Sequence, residues 1–227
     1  MDKENMAMYS EAHESYDLTN HLLSFFTDSS VRKRAANEVL KTRPGKVLDI
    51  ATGTGDTAML VAKAAQARGQ KVAVTAMDAN IRMLSTARAK ARKEGLVNVH
   101  FEEGDSSSLR YPDGSFDAVV CTFALKNLDI ERFASESYRV LRKNGILVIA
   151  DISAPQGLLN RAMFRIYLGY MGLFGWLTGK KLYKWLPGST NSFDKSKFLK
   201  VLSAKRFHKA RSSEFFFGIT YILTYIK

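Results

Sequence analysis

Three carboxylates, Asp49, Asp78 and Asp105, each stand at or near the end of a short apolar run. The first run leads into Asp49-Ile50-Ala51-Thr52-Gly53-Thr54-Gly55-Asp56. Glycines at 53 and 55 permit a tight turn and let the backbone approach a bound molecule where a Cβ would clash. The helix that this turn opens points its first N–H groups at the same place. The spacing also fits the dinucleotide pattern G-x-G-x-x-A, and Asp78 suits a ribose in either case.

Two features favour a ligand without phosphate. Asp49 lies four residues before Gly53, a poor neighbour for pyrophosphate but a good one for a cationic amino group. The third run ends in Gly104-Asp105-Ser106, where Asp105 can accept from an adenine amino group and Ser106 can offer its N–H to the ring. Asp78 can accept from both ribose hydroxyls. An amino acid, a ribose and an adenine together describe S-adenosyl-L-methionine (SAM). Ala51, Ala79 and Met83 flank these positions and complete the expected cofactor wall. Each acid also has an ordinary explanation as a loop residue or helix cap. Their recurrence at the ends of successive runs argues against that explanation for all three.

The runs themselves read as strands. Residues 46–51, 72–77, 98–103, 116–123 and 146–152 are compact and apolar. Helical segments separate them at 56–68, 81–94 and 130–142, with Asn80 as a cap and Gly69 and Gly95 as stops. This alternation predicts βαβ units and a mostly parallel sheet, with ligands beyond the carboxyl ends of the strands. Residues 215–217 and 219–226 are aromatic and β-branched and predict a closing hairpin. The expected fold is α/β: a Rossmann-like, doubly wound, mostly parallel seven-stranded sheet with a C-terminal β-hairpin and a helical lid. The expected organisation is one domain over 1–227. It comprises a helical cap (1–43), a SAM-binding core (44–153) and an aromatic, basic lid with the hairpin (154–227).

Composition narrows the function. The 227 residues contain one cysteine, Cys121, so no intrachain disulfide can form. The four histidines show no metal-ligand spacing, and no metal is expected. Residues 158–227 hold 13 Lys+Arg against 2 Asp+Glu, so nearly all of the net charge of +12 sits in the last third. That region is also apolar and aromatic, but its longest uncharged run, 166–179, has 14 residues. A spanning helix needs roughly 20 apolar residues. Glycines at 169, 172, 175 and 179 are expected to weaken a continuous helix there. A further helix is expected at 193–202. The start is polar and carries no signal core, so the expected location is cytoplasmic, with peripheral docking on an anionic membrane surface. No RNA-binding module is evident and no nucleic-acid partner is expected. A homodimer is the other partner considered.

At this point the chain resembles the class I SAM-dependent methyltransferases, and within them the UbiE-type C-methyltransferases of ubiquinone and menaquinone biosynthesis. The segments that carry the resemblance are Tyr16-Asp17-Leu18-Thr19-Asn20 with Ser24, residues 47–56, Phe123-Ala124-Leu125-Lys126-Asn127, Arg139-Val140-Leu141-Arg142 with Gly145, and Asp151-Ile152-Ser153. Tyr183, Leu186, Ser189 and Phe193 are similar to a further family segment. The resemblance implies SAM contacts at Thr54, Asp78, Asp105, Ser106 and Thr122. It also implies ring methylation of a polyprenyl hydroquinone between the N-terminal helix, the turn after the fourth strand and the lid. The chain departs from the family pattern at several places. Thr19 replaces Met, an H-x-x-W after Ser24 is missing, Lys126 replaces Arg, Lys143-Asn144 replace Pro-Gly, and Asp151 replaces Glu.

A hydroquinone carbon becomes nucleophilic when a neighbouring hydroxyl loses its proton, so a base or a cation must face that oxygen. Lys126 is the expected phenolate stabiliser, Asn127 the orienting group and His21 a second candidate base. Tyr16, Asp17 and Asn20 are expected to line the acceptor pocket. The alternatives are methylation of a phospholipid or other small molecule, an NAD-dependent oxidoreductase, and a binding protein that has lost its chemistry.

Overall fold

The computed structural model describes residues 3–13, 16–24, 27–155, 157–178 and 195–227. Three helices precede the sheet: α1 (Lys3–Ala12), α2 (Tyr16–Leu23) and α3 (Thr27–Leu40). Strands and helices then alternate as β1 (Lys46–Ile50), α4 (Asp56–Ala67), β2 (Ala73–Asp78), α5 (Ile81–Lys93), β3 (Val99–Glu103), β4 (Phe116–Thr122), α6 (Ile130–Val140) and β5 (Leu141–Ile152). Then follow α7 (Leu158–Thr178), α8 (Lys195–Ala204), β6 (His208–Phe215) and β7 (Thr220–Ile226).

The strand order is β3-β2-β1-β4-β5-β7-β6, parallel except for β7, which runs antiparallel to both of its neighbours. The central strands are mainly apolar because both faces are covered. Alternate residues divide between two cores. Leu48, Ile50, Val119, Cys121, Leu147 and Ile149 face one way with residues of α6 and α8. Val47, Val74, Ala76, Ala118, Val120 and Val148 face the other way with α3 and α4. The order reverses between β1 and β4, so a crevice opens beyond their carboxyl ends.

Two expectations are corrected. Helix α7 runs unbroken through Gly169 and Gly172. A glycine costs a helix only about 1 kcal/mol, and buried Phe164 and Met171 anchor this one along its inner side. The first strand of the hairpin is not 215–217 but the polar stretch His208–Phe215, whose residues are almost all exposed. Phe216, Phe217 and Gly218 instead form the turn, all with positive φ. Lysine, arginine and histidine on an outermost strand discourage pairing with another chain, so this edge is polar for a physical reason. The segment with Tyr183, Leu186, Ser189 and Phe193 lies outside the described residues. Among the described residues, no helix is long and apolar enough to cross a membrane.

Candidate functional site

The turn after β1 is built by hydrogen bonds that cross between strands. Thr52 N–H donates to the Met77 carbonyl (3.0 Å) and Gly55 N–H to the Thr52 carbonyl (3.0 Å). Gly53 N–H donates to Asp78 Oδ2 (2.7 Å), and Asn80 N–H to Asp78 Oδ1 (2.8 Å). One carboxylate therefore fastens the glycine turn to the end of β2 while still bordering the crevice. Burial pushes the Asp78 pKa up, and the N–H groups of Asn80 and Gly53 pull it partly back. Ala51 has a φ of 56°, which a residue with a Cβ rarely adopts, so the turn holds backbone strain beside the crevice.

The crevice encloses about 800 Å³, open mouth included. Its walls include Ala51, Gly53, Thr54, Asp78, Ala79, Met83, Asp105, Ser106 and Thr122. Asn127 also lines it and donates from Nδ2 to the Tyr9 hydroxyl (3.1 Å). Tyr9 and Tyr16, with ring centroids 5.8 Å apart, close the crevice from α1 and α2. Asn80 holds α1 down by donating to Ser10 Oγ (2.9 Å), and His13 bonds Thr86 on α5 (3.1 Å).

A second cavity of about 1000 Å³, again with its mouth, adjoins the first. Tyr9, Tyr16, Arg32 and Phe123 border both. Its other walls come from Asn20, Ser24, Thr27 and Asp28, from Lys126 and Ile152, from Tyr167 and Met171 of α7, and from Phe216, Ile219 and Thr220 of the hairpin. This second space is mainly apolar. Phe123, at the junction, has a φ of 56° and donates its N–H to the Ala150 carbonyl (2.8 Å). Burial holds the Lys126 ammonium below its usual range, and Asp151 partly offsets that. Asp151 is raised by its own burial, and Lys126 draws it back. The 3-10 turn Leu125–Asn127 thus sends adjacent residues to different spaces, Lys126 to the apolar cavity and Asn127 to the crevice.

Four expected site residues stand elsewhere. Asp49 shares the face of Val47, beneath the turn. It accepts from Thr52 Oγ1 (2.6 Å), and burial raises its pKa to about 7. Gly55 packs α4 against its neighbours: a Cβ there would meet Ala87 Cβ and Phe101 Cε1, each at 3.0 Å. Asp17 accepts from Thr54 Oγ1 and from Lys90 Nζ (2.6 Å), which ties α2 to the glycine turn and to α5. His21 borders neither space, but its Nδ1 bonds Asp28, which does.

Sequence reasoning missed Tyr9, Asp28, Arg32 and Phe123. Arg32 donates from Nη1 to Thr122 Oγ1 (2.7 Å) and Thr57 Oγ1 (3.0 Å), and its guanidinium carbon lies 4.9 Å from the Phe123 ring centre. A signal was available. Asp28, Val31, Arg32, Ala35, Ala36, Val39 and Leu40 form one stripe at helical spacing, so the two charges fall on the buried side of α3.

Comparison with known proteins agrees with this architecture. The chain is 37% identical over 221 residues to the demethylmenaquinone methyltransferase of Thermus thermophilus, covering 95% of this chain and 97% of that one. It is 33% identical to the enzyme of the same name from Bacteroides fragilis (97% and 91% covered). It is 31% identical to the ubiquinone/menaquinone biosynthesis C-methyltransferase UbiE of Geobacter sulfurreducens (96% and 86% covered). Among solved structures, a SAM-dependent methyltransferase from Thermotoga maritima shares the fold with a TM-score of 0.68 at 16% identity, covering 98% of this chain and 99% of that one. Residues 2–227 match the ubiE/COQ5 methyltransferase family; the chain belongs to that family and is a SAM-dependent methyltransferase.

Proposed function

We propose that this enzyme methylates a ring carbon of a polyprenylated hydroquinone, of the demethylmenaquinol or ubiquinone-precursor type. The observation that carries the reading is the roomy apolar cavity that joins the polar crevice at Tyr9, Tyr16, Arg32 and Phe123. The names of the relatives support the same acceptor class.

The polar crevice fits SAM on its own chemistry. Asn127 Oδ1 and Arg32 Nε are buried there without a hydrogen-bond partner among the described residues, so the walls carry polar atoms that a ligand can satisfy. A Cβ at Gly104 would meet Met77 Sδ at 2.6 Å, so this glycine makes room for Met77, which lines the crevice beside it. Asp78 would hold the ribose, Asp105 and Ser106 the adenine with Met83 beneath it, and Gly53, Thr54, Thr122 and Arg32 the amino-acid end. SAM supplies an electrophilic methyl group on sulfur.

Everything else falls to the protein. Tyr9 and Tyr16 cover the junction and keep water from it. Lys126, in an apolar surrounding, stabilises negative charge on the acceptor oxygen, where such an interaction is worth more than in water. Asn127 positions Tyr9 across the junction. Helix α7 and the turn of the β6–β7 hairpin both line the cavity, and each also has exposed apolar residues: Leu159, Ile166, Trp176 and Phe217. With the basic last third, these residues suit docking on an anionic membrane, from which a long-tailed acceptor enters.

The test is transfer of labelled methyl from SAM to a reduced, prenylated naphthohydroquinone. Label on the ring carbon supports the reading. Bound SAM without ring label sends the search to other acceptors. A Lys126→Ala variant is expected to bind SAM normally and to lose roughly 100-fold in kcat, as removal of one charge-stabilising donor does.

A further inference from the structure

The acceptor cavity contains an acid that the reading above leaves unused. Asp28 opens α3, is 7% exposed and borders the apolar cavity. Its carboxylate is held by α2 and the turn that follows it. His21 Nδ1 lies 2.9 Å from Oδ2 and 3.0 Å from Oδ1, and Ser24 Oγ donates to Oδ1 at 2.7 Å. Arg32 Nε is 3.9 Å from Oδ2. A carboxylate so held has a set direction and lone pairs to spare, and it can only accept. The charged or hydrogen-bonding groups that touch it are His21, Ser24 and Arg32; Lys126, Asn20, Thr27, Thr220, Tyr9, Tyr16 and Tyr167 stand on the walls of the same cavity.

We propose that Asp28 accepts the hydrogen bond of an acceptor hydroxyl and takes its proton, so that it selects the reduced ring, with His21 and Ser24 as positioning residues. The inference rests on the hydroquinone reading and names the group that enforces it. A hydroquinone hydroxyl donates to the carboxylate. A quinone carbonyl has nothing to donate, and it would leave two acceptors facing each other in an apolar space. In the reaction, the O–H bond breaks and the proton moves to Asp28, while the electron pair stays on oxygen and spreads to the ring carbon. The ring carbon then bonds to the methyl group as sulfur keeps the pair of its broken bond. Loss of the ring carbon's own proton to solvent restores aromaticity, and Asp28 returns its proton to the oxygen. One proton is released in all.

The decisive comparison uses a farnesylated 1,4-naphthohydroquinone kept reduced without oxygen, its bis-methyl ether, and the corresponding quinone. Binding is followed by calorimetry on SAM-loaded protein, and turnover by methyl transfer. The wild type is expected to bind the hydroquinone at least about 10-fold more tightly than the ether or the quinone, since a site built for a hydroxyl rejects analogues without one. Asp28→Asn is expected to lose that preference and most of kcat while SAM still raises its melting temperature as in the wild type. His21→Ala is expected to lower kcat, and His21→Asn, which keeps a donor near the Nδ1 position, to restore most of it. An Asp28→Asn enzyme that keeps both the preference and kcat overturns the assignment and leaves the hydroquinone reading intact. A wild type that neither binds nor methylates the hydroquinone overturns that reading, and this inference with it. If Asp28→Asn fails to take up SAM, Asp28→Ser, which keeps a small polar group but no carboxylate, decides. Loss of the preference and of most of kcat supports the assignment. Retention of both overturns it.

Discussion

At the residue scale, Asp49 shows how far the sequence could be read. Its place before the glycine turn suggested a carboxylate facing the ligand's amino group. The parity of β1 decides otherwise: Asp49 points to the side of Val47 and lies under the turn, bonded to Thr52. Burial lifts its pKa from the ordinary carboxylate range to about 7, against the hydrogen bond from Thr52 and the charge of Arg32. A carboxyl raised on folding binds more protons in the native state than in the unfolded one. Native stability therefore falls as pH rises from about 4 to about 7 and levels off above that. Asp49→Asn removes this term. In the ligand-free protein the variant's stability relative to wild type should climb across that window, by up to ~4 kcal/mol for a shift of about three units. Urea unfolding at pH 5 and pH 8 measures it, and an equal difference at the two pH values would refute the buried, neutral carboxyl. Asp78 was legible because it ends its strand, where the side chain meets the crevice whichever face the strand presents. Asp78→Ala should weaken SAM binding roughly 10- to 100-fold, a charged hydrogen bond being worth about 1.5–3 kcal/mol, as read by calorimetry.

At the scale of elements, the strands and helices of the core followed from apolar runs broken by Gly and capped by Asn80, which accepts from the N–H groups of Arg82 and Met83. The elements that were misread are those whose surroundings, rather than their own residues, decide their shape. Strand β6 is polar because it is an edge, and α7 survives its glycines because its inner side is anchored. Gly55 belongs with these. Its residue type pointed to a ligand, yet its neighbours are Ala87 of α5 and Phe101 of β3. With φ at 85° and no room for a Cβ, Gly55→Ala should cost about 1–3 kcal/mol through strain and crowding. Gly53→Ala has the same kind of φ but open space around its Cβ, so it should cost less stability and act on SAM affinity instead. Thermal unfolding of the two variants, with and without SAM, separates packing from binding. Equal losses would mean that Gly55 is not a packing glycine.

At the scale of the whole molecule, net positive charge and exposed apolar residues fall in the same third of the sequence. The last third carries 13 of the 34 Lys+Arg and 2 of the 22 Asp+Glu. In the same region Leu158, Leu159, Ile166, Leu173, Trp176 and Leu177 of α7 are each more than half exposed, as is Phe217 of the hairpin turn. The opposite side of α7 lends Tyr167 and Met171 to the acceptor cavity. One helix therefore has an apolar outside and an apolar inside, the arrangement needed if an oily acceptor passes from a lipid surface into the enzyme. Basic residues near an anionic surface each contribute about 1 kcal/mol and lose it with salt. Binding should thus be strong on anionic vesicles at low salt, weak on zwitterionic ones, and reduced by added salt. A triple variant, Leu159→Glu with Ile166→Glu and Trp176→Glu, touches no residue that borders the cavity. Exposed changes of this kind usually alter stability by no more than about 0.5 kcal/mol each. It should lose vesicle binding, turn over a short-tailed, water-soluble acceptor at the wild-type rate, and fall behind only when the acceptor is embedded in the vesicle. Equal loss on both acceptors would show that the outer face of α7 supports the fold or the cavity, and that the acceptor reaches Lys126 by another way.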